Sequence, residues 1–73
     1  MNLKALRVAA RISQESAAKQ LGVTRQSLYI WESGKAFPGV EYVLAMIDMY
    51  NCDPADMMDA LRDINQLRQE VKK

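Results

Sequence analysis

Seventy-three residues, of which 49% are hydrophobic and 26% are charged, are enough for one small globular domain. With no histidine and a single cysteine, Cys52, the chain cannot build a zinc finger, an intrachain disulfide or a Cys–His nucleophile pair. The longest apolar run, residues 42–47, is far shorter than the ~20 residues that span a bilayer, and Lys4, Arg7 and Arg11 interrupt any signal-peptide core. We therefore expect a cytoplasmic protein with a reduced thiol and with no cofactor, metal, small-molecule ligand or membrane partner.

The charges are distributed unevenly along the chain, although the net charge is only +1. Residues 1–37 hold six basic and two acidic side chains, whereas residues 38–73 hold four basic and seven acidic ones. The first half is thus net +4 and the second half net −3. Such a chain can present a basic face to phosphate groups. The alternative is two halves that each carry an ordinary solvated rim of charges.

Helical periodicity and helix-end signals predict five helices and no strand. The candidate N-cap residues are Asn2, Ser13, Thr24 and Asp53, the last followed by a proline at the first helical position. Gly22 and Gly34 are placed to end the second and third helices in a left-handed conformation. The apolar residues predicted to share one face of the fourth helix are Val43, Leu44 and Ile47.

Residues 14–33 have the spacing of a helix-turn-helix, in which two short helices cross at a tight turn. Ala18 lies where the helices would come closest, and Gly22 supplies the positive φ of the turn. The residues expected to fill the core between the two helices are Leu21, Val23, Leu28 and Trp31. A purely structural helical hairpin would meet some of the same steric requirements.

Many separate positions of the chain resemble the lambda-repressor-like (Xre-type) helix-turn-helix family. The matching residues are Leu6-Arg7, Ser13-Gln14-Glu15, Ala18, residues 21–28, residues 31–35, Pro38, Glu41, Leu44 and Met57-Met58. The resemblance implies an all-α, compact five-helix DNA-binding domain over residues 1–58, with its helix-turn-helix at 14–33. It also implies a bacterial or phage transcriptional regulator that binds operator DNA as a dimer. The sequence departs from the family at Arg11, where a helix-ending glycine is usual, at Ala17 and at Ile30.

By this resemblance, residues 24–33 form the recognition helix that enters the major groove. Arg25 would donate two hydrogen bonds to guanine and Gln26 would pair with adenine. Tyr29 and Ile30 continue the same outward face, where Ile30 would either meet a thymine methyl group or be an ordinary exposed apolar residue. For Arg25 the alternatives are a phosphate contact or a surface ion pair.

The expected phosphate contacts lie at the rim of this surface, at Gln14, Ser27, Ser33 and Lys35. For Lys35 the alternative is a solvated surface lysine. The resemblance also pairs Arg7 of the first helix with Glu32, an ion pair that would hold the recognition helix in place without touching DNA. The alternative is two independent exposed charges.

The C-terminal residues 59–73 are predicted to extend the last helix beyond the core-forming Met57, Met58 and Leu61. An apolar stripe there, formed by Ala60, Ile64, Leu67 and Val71, recurs at heptad-like spacing and is predicted to be the dimer interface. The alternative is that this stripe folds back onto the first helix of its own chain.

Together these features predict a sequence-specific double-stranded DNA-binding regulator, a repressor that binds a palindromic operator as a homodimer. The alternative from another class is a protein-interaction adaptor or antitoxin-like subunit with the same fold. Such an adaptor would have an apolar or acidic recognition face; Tyr29 and Ile30 favour it, whereas Arg25, Gln26 and Lys35 oppose it. An enzyme is not predicted, because the carboxylates occupy outward or capping positions.

Overall fold

A computed structural model gives the backbone of residues 2–72 and the side chains of residues 2–64. Over these residues the chain forms five helices and no strand, which confirms the predicted all-α architecture. No helix in this part of the chain has both the length and the apolar character needed to cross a membrane. The helices are α1 (Leu3–Ala9), α2 (Gln14–Leu21), α3 (Arg25–Glu32), α4 (Val40–Tyr50) and α5 (Pro54–Lys72).

The predicted N-cap side chains all form their expected hydrogen bonds. Each accepts a bond from a backbone N–H two or three residues further along, at 2.8–3.0 Å, and these residues are Asn2, Ser13, Thr24 and Asp53. A cap of this kind satisfies one of the amide groups that a helix start leaves unpaired. The beginnings of α1, α2, α3 and α5 are therefore determined locally by the sequence.

The first four helices also end alike, because each is followed within two residues by a residue with positive φ. These residues are Gly22 (φ 76°) after α2 and Gly34 (φ 83°) after α3, as predicted, and Arg11 (φ 61°) after α1 and Asn51 (φ 50°) after α4. In every case the next N–H donates to the carbonyl five residues back, as in a Schellman motif. Arg11 thus adopts a left-handed conformation at the position where the resemblance leads us to expect a helix-ending glycine, and a side chain makes this conformation costlier by roughly 1–2 kcal/mol.

The core lies where all five helices meet. Among the described pairs of helices, α2 and α3 make the most extensive contact, and Ala18 is buried between them as the spacing predicted. Leu28 of α3 is fully buried beside them. The core side chains are Leu3, Leu6, Ala17, Ala18, Leu28, Met46, Tyr50, Met57, Ala60 and Ile64.

Met58, predicted to form part of the core, and Leu44, predicted to share one face of α4 with Val43 and Ile47, are both exposed. Val43 and Ile47 do pack against the core, together with the buried Met46 and Tyr50. Leu44 was grouped with them because α4 is apolar on nearly every side, so its sequence pattern does not mark the edge of the inward face. In α5 the neighbouring methionine, Met57, takes the inward position.

The apolar stripe of α5 is partly used within one chain. Ala60 is 1% exposed and Ile64 is 3% exposed, and α5 packs against α1. These two residues are therefore unavailable to a second copy, and their assignment to a dimer interface is corrected. Leu67 and Val71 lie outside the residues whose side chains are described. The boundary expected after residue 58 falls inside one continuous helix, and the core draws side chains from both sides of it.

The strained end of α1 gives a stability prediction. We expect Arg11→Gly to raise the free energy of unfolding by about 1 kcal/mol, because glycine adopts positive φ without a steric penalty. In a domain of this size that corresponds to an increase in Tm of roughly 4–8 °C. Thermal unfolding followed by circular dichroism measures it.

Arg11→Ala is the matched control, because it removes the guanidinium group but keeps the Cβ atom that causes the strain. It should not stabilise the protein. Equal stabilities of the glycine and alanine variants would contradict this explanation of the α1 end.

Candidate nucleic-acid interface

The turn between α2 and α3 is built entirely from local interactions. Gly22 adopts positive φ, and the N–H of Val23 closes the turn on the carbonyl of Ala18 at 3.0 Å. Thr24 then caps α3 through the N–H of Ser27 at 3.0 Å. Two helices of eight residues thus follow one another across a three-residue turn, which is the geometry of a helix-turn-helix.

The two faces of α3 have opposite environments. Leu28 is completely buried on the inner face, and Trp31 packs against the core while its ring lies 5.3 Å from that of Tyr42. On the outer face Arg25, Gln26 and Tyr29 are exposed. Ile30, which the sequence placed on this outward face, is partly buried and lies at the edge of the face. The first turn of α3 therefore presents two long polar side chains to solvent.

The far end of α3 is held by the ion pair between Arg7 and Glu32. Arg7 Nε donates to Glu32 Oε2 at 2.7 Å and Nη2 donates to Oε1 at 3.3 Å. The third nitrogen of the guanidinium, Nη1, donates to the carbonyl oxygen of Ile12 at 2.9 Å. The two side chains are 9% and 4% exposed, so this bidentate pair is shielded from water. It joins α1 to the last residue of α3.

Gln14 extends this pair into a network that the sequence did not reveal. Its side-chain amide donates to Glu32 Oε1 at 3.2 Å, so the start of α2 is linked to the same carboxylate. The two residues are 18 positions apart, and no local pattern marks the contact. One N–H of the Gln14 amide remains to donate elsewhere.

The other expected phosphate contacts lie at the two ends of α3. The Ser27 hydroxyl accepts a hydrogen bond from the Thr24 hydroxyl at 3.0 Å. The Ser33 hydroxyl donates to the carbonyl oxygen of Ile30 at 3.0 Å. Lys35 is exposed just beyond the helix. Ser27 and Ser33 are thus already engaged at the helix ends, whereas the ammonium group of Lys35 faces solvent.

A depression of about 410 Å³ lies beside the outer face of α3. It brings Gln14, Tyr29 and Ser33 together with the Arg7–Glu32 pair. It also includes Lys4, an exposed residue of α1 that the sequence analysis did not single out. The sequence feature that could have revealed Lys4 is its spacing from Arg7, since residues three apart lie on the same side of a helix.

Tyr50 is the last residue of α4 and belongs to the core, and Cys52, two residues further on, packs against the core. Burial raises the pKa of Tyr50 to about 12, and the Glu32 carboxylate adds to the increase while Arg7 opposes it. The Tyr50 hydroxyl is buried and has no hydrogen-bond partner among the described residues. Burial also raises the pKa of the Cys52 thiol, which disfavours its reactive thiolate. Both groups therefore remain neutral at physiological pH.

A family model described as a helix-turn-helix domain matches residues 1–61, which is most of the chain. The protein belongs to the helix-turn-helix domain family. A search of curated proteins and a search of solved structures gave no significant match. The matched range includes both α1 and α3, and therefore both partners of the Arg7–Glu32 pair. Membership of this family is consistent with the lambda-repressor-like resemblance.

The buried pair predicts a large loss of stability when one partner is removed. Glu32→Ala leaves the largely buried guanidinium of Arg7 without its counter-charge. We expect the free energy of unfolding to fall by about 3–5 kcal/mol. Urea denaturation followed by circular dichroism measures this loss.

The double variant Arg7→Met with Glu32→Leu tests the cause of the loss. It removes both charges and fills the space with apolar atoms, so it should recover most of the stability lost in Glu32→Ala. Unchanged stability of Glu32→Ala would show that the pair is not buried in solution.

Proposed function

We propose that this protein is a sequence-specific double-stranded DNA-binding transcriptional regulator that represses from a palindromic operator as a homodimer. The observation that carries the proposal is the division of α3 into a buried inner face, anchored by Leu28 and Glu32, and an exposed first turn with Arg25 and Gln26. A helix held in this way can enter the major groove with its first turn nearest the bases.

The exposed side chains of α3 have the chemistry needed to read base edges. Arg25 can donate two hydrogen bonds to O6 and N7 of guanine, and Gln26 can pair with N6 and N7 of adenine. Each such bidentate contact distinguishes the correct base by about 1–3 kcal/mol. Tyr29 and Ile30 follow on the same side, where Ile30 offers a methyl-bearing surface to thymine.

The rim of the surface supplies contacts to the DNA backbone. We assign these contacts to Gln14, Ser27, Ser33 and Lys35. Gln14 is the first residue of α2, whose backbone amides and dipole favour an anion, and it retains one free amide N–H. Lys35 is the exposed cation of this group. Contacts of this kind set the position of the protein on the duplex without reading its sequence.

The homodimer is proposed because one recognition helix contacts too few base pairs to specify a site. A single eight-residue recognition helix contacts only a few base pairs, and two copies about 34 Å apart read two half-sites on one side of the DNA. Leu67 and Val71 remain the proposed contacts between copies, since Ala60 and Ile64 are buried within one chain. Repression is the simplest outcome, because occupying an operator requires no contact with the transcription machinery.

We expect substitutions on this surface to separate into two classes in a binding assay. Arg25→Ala and Gln26→Ala should relax the base preference at particular positions of the site, because they remove base contacts. Lys35→Ala should weaken binding to all duplexes about equally and reduce the salt slope by about 1, because it removes a phosphate contact. Fluorescence anisotropy with duplexes of cognate and scrambled sequence measures both effects at several salt concentrations.

The unfolding free energy of each variant is the control, and it should match that of the parent because all three side chains are exposed. Binding of the parent that is independent of salt, or equal for cognate and scrambled duplexes, would contradict the proposal and favour a protein-interaction adaptor.

A further inference from the structure

We infer that the depression beside α3 seats one phosphate of the DNA backbone and that Lys4 supplies the cation of this site. The inference rests on the proposed function and adds a residue and a location to it. The depression is lined by Lys4, Arg7, Gln14, Tyr29, Glu32 and Ser33.

Lys4 is the charged residue of the depression whose charge no neighbouring carboxylate neutralises among the described residues. Arg7 and Glu32 neutralise each other in the bidentate pair at 2.7 Å. Lys4 is exposed and forms no salt bridge with any carboxylate among the described residues. The depression thus carries a net positive charge, held on a long side chain that reaches from α1.

The remaining polar groups suit a phosphate better than a base edge. Gln14 has one amide N–H beyond the one that it donates to Glu32, and Tyr29, which also lines the depression, carries a phenolic O–H that can donate. A phosphate group accepts hydrogen bonds through its oxygens and donates none, so amide, hydroxyl and ammonium donors around one hollow match its needs.

The position of the depression connects it to the recognition surface. Tyr29 belongs both to the outer face of α3 and to the wall of the depression. Arg25 and Gln26 precede Tyr29 on the same helix, so a duplex read by them brings its backbone along this wall. Lys4 would then tie α1 to the DNA, while the neighbouring Arg7 ties α1 to α3.

Lys4→Gln tests the site, because it removes the charge and keeps a polar side chain of similar shape. We expect the slope of log affinity against log salt to become shallower by about 0.9, the contribution of one phosphate contact. Between 50 and 200 mM salt the parent should therefore lose about 3.5-fold more affinity than the variant. The loss should be the same for cognate and scrambled duplexes, and Lys4→Arg should restore the parental slope.

Lys19→Gln is the matched control, since Lys19 is an exposed lysine in the last turn of α2 and does not line the depression. The unfolding free energies of both glutamine variants should equal that of the parent. A parental salt slope in Lys4→Gln, or a change equal to that in Lys19→Gln, would overturn the inference while leaving DNA binding intact. Failure of the parent to bind any duplex would instead overturn the proposed function, and this inference with it.

Discussion

The bidentate pair between Arg7 and Glu32 is the interaction on which the rest of the surface depends. A helix of only eight residues is too short to be stable alone, so α3 must be held by its neighbours. Leu28 anchors its inner face, Thr24 caps its start, and the pair attaches its last residue to α1. Burying two charges is costly, and the cost is offset here because the carboxylate accepts three hydrogen bonds and the guanidinium also donates to a backbone carbonyl. The pair therefore specifies the direction of α3 more than it stabilises the fold.

This arrangement leaves the exposed parts of the helix-turn-helix free to contact a ligand. Because Leu28 and Glu32 provide the anchoring, Arg25 and Gln26 have no packing role and can be matched to base edges. Gln14 takes part in both the anchoring of α3 and the proposed DNA contacts, since one amide N–H donates to Glu32 and the other is available to a ligand. The structural network and the proposed phosphate contacts are thus adjacent, so these proposed contacts lie beside α3.

Local signals in the sequence were sufficient wherever a residue interacts with its own neighbourhood. The caps at Ser13 and Thr24, the turn at Gly22 and the buried methyl of Ala18 all depend on positions within a few residues, and all are found in the structure. Contacts between distant segments were harder to predict. Leu44 was wrongly grouped with the core-packed Val43 and Ile47 because apolar residues surround α4, and the burial of Ala60 and Ile64 depends on the packing of α5 against α1. The bond from Gln14 to Glu32 and the placement of Lys4 beside them likewise arise only when α1, α2 and α3 are assembled.

The most direct test of sequence-specific recognition by α3 is selection of bound sites from a pool of random duplexes, followed by sequencing. Our account predicts an enriched palindrome whose half-sites lie about 10–10.5 base pairs apart, or a multiple of that spacing. It also predicts that a double variant, Arg25→Ala with Gln26→Ala, loses this enrichment while it remains folded. A pool that shows no enrichment, or one that the double variant enriches for the same sequence as the parent, would contradict the account.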